Sequence, residues 1–180
     1  MRPCLDKGFV EFLSASPDRK TMELIVDSMK RGRVPTGLAH MTSICMKVRA
    51  PLFVMLAMGR FSLIQDDSYS PETYASTLDD VRASDIETSA QICESINMTI
   101  EAGHVNREAY KADGCNGFTA TFTSTISTYW QGVALGDLQT WVDFANEKHA
   151  PHHIAVYQKA VQEILAVEFP RLDDFLRRSR

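Results

Sequence analysis

The sequence predicts an α+β domain, with helices packed on a small mixed or antiparallel sheet. Three observations carry that expectation. Strand-like and helix-like segments follow one another in the order β-α-β-α, then two helices, a strand and two more helices, which is not the strict alternation of a parallel α/β sheet. The stretch Met41 to Arg49 is a strand with one apolar side: Thr42, Ile44, Met46 and Val48 fall on one face, and Met41, Ser43, Cys45, Lys47 and Arg49 on the other. The chain of 180 residues, 44% hydrophobic and 23% charged, matches one soluble domain with a core of its own, so residues 1–180 are read as a single unit.

Each element has its own signal. Gly8 to Leu13 alternates as a first strand. Ser16-Pro17-Asp18 opens a helix, with Ser16 as cap, and Met22, Ile25, Val26 and Met29 recur at helical spacing until Gly32. Val34 to Gly37 is a turn. Pro51 opens a short apolar helix, Leu52 to Met58. Residues 65–87 are rich in Ser, Thr, Asp and Tyr and read as a loop or lid. Ile86, Ala90, Cys93, Ile96 and Ile100 mark an amphipathic helix expected to stop at Gly103. Asn106 then caps a second, short helix that Gly114 closes. The alternating Thr/Ser run from Phe118 to Trp130 favours an extended strand, because threonine is β-branched. Leu135, Leu138, Trp141 and Val142 predict a helix. A further helix carries Ile154, Tyr157, Val161, Ile164 and Leu165 and ends before Pro170.

Composition narrows the function. A net charge of -4 and a pI near 5.7 give no basic footprint for nucleic acid or an anionic membrane. No apolar run approaches a membrane span, and the first residues lack a signal-peptide core, so a cytoplasmic protein is expected. Cys4, Cys45, Cys93 and Cys115 are scattered without a CxxC pair and read as free thiols. His149 and His153 stand one helical turn apart, but no second ligand cluster accompanies them, and no metal site is expected. Arg177, Arg178 and Arg180 read as a solvated tail.

Several segments taken together resemble the flavin-dependent thymidylate synthases: Leu5 to Glu11, Leu24 to Gly32, the strand–Ala-Pro–helix of Lys47 to Val54, Leu138 to Trp141, His149-Ala150 with Ile154, Tyr157 and Ala160, and Phe169-Pro170. That family's signature is Arg-His-Arg-x-x-Ser-x-Asn-Glu-x-Ser-x-Arg-Tyr. Laid on it without gaps, Arg60 meets the first arginine and Ser70 the second serine. Phe61 stands at the histidine, Ser62 at the second arginine, Asp67 at the asparagine and Ser68 at the glutamate. Glu72 falls at the phosphate-binding arginine and Thr73 at the tyrosine. A gapped pairing of Tyr69-Ser70 with the motif's end restores no arginine. Downstream, Ala134 and Gly136 take the asparagine and arginine of Asn-Ala-Arg-Ser-Leu, and Ala145 the place of an arginine that contacts the pyrimidine.

The resemblance implies a divergent member of that family that has lost most of the arginine motif. It implies a flavin-dependent thymidylate synthase-like fold, a homotetramer with interfacial active sites, and a nucleotide ligand. Arg60 and His149 would face FAD, while Ser70 and Lys111 would face the substrate; no catalytic residue is assigned. Two functions are open at this point. One is a pyrimidine-nucleotide C5 one-carbon transferase acting on a uridylate-like substrate in a specialised nucleoside pathway, with methylene-tetrahydrofolate and NADPH as co-substrates. The other is a repurposed or non-catalytic relative that keeps the fold without the usual flavin and nucleotide binding, or pairs with an intact paralogue. A nucleotide monophosphate is a dianion that guanidinium forks suit. Carboxylates at those positions would repel it, unless Lys47, Arg49, Lys111 or another subunit supplies the charge.

Overall fold

A computed structural model describes residues 1–31, 36–66, 72–77, 81, 85–114 and 126–172. Its strands are β1 (Arg2–Cys4), β2 (Gly8–Ser16), β3 (Ser43–Pro51), β4 (Ser62–Gln65) and β5 (Tyr129–Gly136). They form one sheet in the order β1-β2-β3-β5-β4, every pair antiparallel. The helices are α1 (Arg19–Lys30), α2 (Leu52–Ala57), α3 (Ile86–Ala112), α4 (Leu138–Asn146) and α5 (His152–Glu168). The α+β expectation is met, and the sheet is antiparallel rather than mixed.

The alternation in β3 decides which side of the sheet becomes core. Ile44, Met46, Val48 and Ala50 are fully buried, and register places Ala134 and Gly132 of β5 beside Met46 and Val48. Against this face pack Met22 and Val26 of α1, Val54 and Met55 of α2, Leu138, Trp141 and Phe144 of α4, and Tyr157, Val161, Ile164 and Leu165 of α5. Two glutamines of α5 fix the end of α4: Gln162 donates to the Ala145 carbonyl at 2.6 Å and Gln158 to that of Glu147 at 3.2 Å. Helix-terminal carbonyls without an intrahelical acceptor role are thereby satisfied by side chains. Among the described residues no helix is long and apolar enough to cross a membrane.

Several expectations are corrected. Ser16 ends β2 and does not cap α1. Asp18 does, accepting from the backbone N–H of Lys20 at 3.0 Å and of Thr21 at 3.2 Å, because a carboxylate reaches the first-turn donors better than a serine already paired in a strand. Residues 36–41 form a short 3-10 helix, so β3 begins at Ser43. Gly103 does not stop its helix: α3 runs 27 residues without a break, since one glycine costs a helix only about 1 kcal/mol and Ala102 and Glu101 beside it are good formers. Gly114, at φ +82°, is where the left-handed terminator lies. Leu135 belongs to β5, opposite Cys45, because Asp137 caps α4 by accepting from Thr140 N–H at 2.6 Å. The expected strand at 118–130 overlaps the observed one only at Tyr129 and Trp130; residues 115–125 lie outside the described residues. β1 and β4 were not expected. Each is short, and β4 is exposed along its whole length, so neither carries a period to read.

Candidate functional site

The face of the sheet turned away from the core is polar. Lys47 and Arg49 project there from the central strand β3; in register, Lys47 lies between Glu11 of β2 and Val133 of β5, and Arg49 between Phe9 and Gln131. Carboxylates reach this face from two points in the chain. Asp66, just past β4, pairs with Lys47 at 3.6 Å and accepts from Gln131 Nε2 at 3.0 Å, while its N–H donates to the Gln131 carbonyl at 2.9 Å. Glu72 pairs with Arg49 at 2.5 Å and with Lys7 at 3.8 Å, and its carbonyl accepts from Tyr129 N–H at 2.7 Å. Residues 66 and 72 are thus both anchored to the outer face of β3 and β5.

Aromatic hydroxyls close the network. Tyr129 O–H donates to Asp6 Oδ1, and the Arg49 guanidinium lies 5.6 Å from the Tyr129 ring centroid. Tyr157 O–H donates to the Arg49 carbonyl at 2.9 Å. Burial pushes the Tyr129 hydroxyl well above its ordinary range, and the hydrogen bond to Asp6 and its charge push it further. Tyr157 is raised chiefly by burial. Both stay protonated at neutral pH and serve as hydrogen-bond donors, not bases.

A second cluster gathers at the junction of α4 and α5. Arg60 donates to Glu147 at 3.1 Å. Glu147 also lines a shallow pocket of roughly 480 Å³ with Ala145, Lys148, His149, Gln158 and Lys159. His149 adopts φ +64°, a left-handed conformation that non-glycine residues adopt uncommonly. His149 lines this pocket, and Arg60 reaches it only through the ion pair with Glu147. His153 packs elsewhere, edge-on to Phe53 with ring centroids 4.6 Å apart. Lys111 lies near the end of α3, paired with Glu108 at 3.1 Å. Ser70 and Cys115 lie outside the described residues.

Phe61 stacks on Trp141 with centroids 4.2 Å apart and meets Phe144 edge-on at 5.8 Å. A β-carbon added at Gly136 would stand 2.7 Å from the Phe61 ring, closer than such contacts allow. Phe61 and Gly136 are the residues set by the resemblance at a histidine and an arginine, and here each makes room for the other. The result is a dry aromatic plug without a charge. The pocket at the α4–α5 junction has Lys148 and Lys159 beside Glu147, the carboxylate that Arg60 pairs with.

The alternation in β3 marks Lys47 and Arg49 as charge carriers, while their partners come from distant parts of the chain. Asp66 and Gln131 are 65 residues apart, and Arg60 and Glu147 are 87. The legible signal was the pair of cations alternating with Met46 and Val48 on one strand.

Comparison with known proteins defines the class at the level of fold. The chain is similar to the crystal structure of a UMP/dUMP methylase, PolB from Streptomyces cacaoi, bound with 5-Br UMP: TM-score 0.77, 13% identity, 96% of this chain and 95% of that one covered. The same protein bound with 5-Br dUMP aligns at TM-score 0.73 and 14% identity, over 95% and 94%. No family model matches the chain, and no curated protein matches it in sequence.

Proposed function

We propose that this protein binds a pyrimidine nucleotide and transfers a one-carbon unit to C5 of the base, with methylene-tetrahydrofolate as donor. The observation that carries the reading is the match of nearly the whole chain to a methylase whose structures hold 5-bromo pyrimidine nucleotides. Fold alone does not fix chemistry. The outer sheet face adds the chemical support: Lys7, Lys47 and Arg49 converge there, and protonated Tyr129 stands beside them. In the reaction, C5 gains a bond to the methylene carbon as that carbon leaves the folate nitrogens, the C5 hydrogen leaves as a proton, and a hydride from NADPH as co-substrate reduces the transferred methylene to methyl. Release of tritium from [5-³H]UMP or [5-³H]dUMP, dependent on methylene-tetrahydrofolate, is the expected result; no release in the presence of added FAD and NADPH would sink the transferase reading. Sedimentation of the same sample tests the homotetramer that belongs to this reading.

A second reading is favoured by the aromatic plug and by the ion pairs. Phe61, Trp141 and Gly136 close a place the resemblance gives to charged groups, and Lys47, Arg49 and Arg60 all face carboxylates of their own chain. A repurposed relative taking a less anionic ligand would show a colourless protein, no tritium release and thermal stabilisation by uridine equal to that by UMP. Pairing with an intact paralogue is tested by adding that chain and repeating the release assay.

A further inference from the structure

His104, Arg107 and Lys111 lie three and four residues apart on one face of α3, the spacing that stacks side chains along a helix. That face turns inward: Ser89, Ile100 and Arg107 are the buried residues of α3, and Asn97 and Cys93 hold the Ser76 backbone from it, with Ser76 N–H donating to Asn97 at 2.7 Å and Cys93 to the Ser76 carbonyl at 3.0 Å. Arg107 is only 8% exposed, and its Nε has no hydrogen-bond partner. Among the described residues no ion pair reaches its guanidinium. The adjacent Glu108 is hydrogen-bonded to Lys111 at 3.1 Å; it feels the charge of Arg107 without accepting a hydrogen bond from it. Buried charges in proteins are paired, and a buried guanidinium Nε left without an acceptor is a costly exception that asks for a reason.

We infer that Arg107 is the binding residue for a phosphate monoester dianion, its fork held ready for two oxygens of the ligand. Identifying that group as the 5′-phosphate of a pyrimidine nucleotide rests on the proposed function; the anion site itself does not. Lys111, one turn further on, strengthens the local field as a point charge.

Arg107→Met tests this with two readouts that move in opposite directions. An idle buried guanidinium replaced by an apolar chain of similar length leaves the ligand-free melting temperature unchanged or raises it. UMP affinity by calorimetry is expected to fall roughly ten- to hundredfold, the range for hydrogen bonds to a charged group, while uridine affinity stays as in the wild type. Arg107→Lys keeps the charge without the fork and should lose part of that affinity. If inorganic phosphate stabilises the wild type but not Arg107→Met, and UMP binds no better than phosphate, the anion site stands and the pyrimidine reading fails. The proposal is overturned if the UMP-to-uridine affinity ratio is unchanged in Arg107→Met. It is also overturned if that variant melts lower or fails to fold without ligand, since Arg107 would then have a structural partner, or if neither UMP nor phosphate binds the wild type at millimolar concentration.

Discussion

Thr42 joins three parts of the fold through one hydroxyl, and its removal has a calculable cost. The side chain is 6% exposed. Its Oγ1 donates to the Ala39 carbonyl at 2.6 Å and accepts from the Leu138 N–H at 2.8 Å, tying the 3-10 turn and the start of β3 to the first residue of α4. Thr42→Val keeps the shape and deletes both bonds. The Leu138 N–H, an orphan donor at a helix start, loses its acceptor, at about 1–3 kcal/mol. The Ala39 carbonyl loses less, because it still accepts from Thr42 N–H at 3.4 Å. A total near 2–3 kcal/mol follows, which for a chain of this size lowers the melting temperature by roughly 4–12 °C. Urea titration followed by tryptophan fluorescence measures it, since Trp141 is fully buried on the same helix. Thr42→Ser, which keeps the hydroxyl and sheds one methyl, should cost only about 1 kcal/mol. A Thr42→Val protein within 0.5 kcal/mol of wild type, or less damaged than Thr42→Ser, would refute the hydrogen-bond reasoning.

Gly132→Ala should destabilise by about 1–3 kcal/mol, because the added methyl is driven into the Ile64 carbonyl and the Trp130 ring; amide exchange should show β4 opening first. Asp137 is held below its ordinary carboxyl value: burial raises it, but the hydrogen bonds from His40 and the Thr140 N–H outweigh that. Its contribution to stability is therefore complete above the unfolded value of 3.8 and is lost as pH falls through the lower folded value. Asp137→Asn should flatten the acid limb of a urea-stability profile below about pH 4, and an unchanged limb would contradict the assignment. Burial pushes the Cys4 thiol up to about 12, so peptide mapping after iodoacetamide treatment at about pH 8.5 should find Cys4 labelled only in unfolded protein.

How much could be read in advance follows from the range of each interaction. The core face of β3, the entry of α2 after Pro51 and the apolar faces of α4 and α5 were legible, because their causes lie within one or two turns of chain. Ser16 and Gly103 misled for the same reason. Each carries a true local preference, but the first is claimed by pairing with Ser43 and the second is outweighed by a long helix on either side. The polar site was legible only by half. Lys47 and Arg49 announce a charged face by alternation, yet Asp66, Glu72 and Asp6 arrive from segments whose proximity only the folded chain creates. Arg107 is the extreme case: within its sequence it reads as an ordinary solvated helix charge, and only burial without an acceptor marks it.

The strand order has a temporal consequence. β1, β2 and β3 come from the first 51 residues, but the neighbour that completes β3 is β5, more than seventy positions later, and β4 has no seat until β5 arrives. Throughout synthesis of the intervening chain, β3 is an unfinished edge with Ile44, Met46 and Val48 on one side, the sort of strand that recruits other chains. Lys47 and Arg49 interrupt that edge with charge at every second position. The two cations that mark the outer face of the finished sheet thus also put charge where association through that open edge would have to bury it.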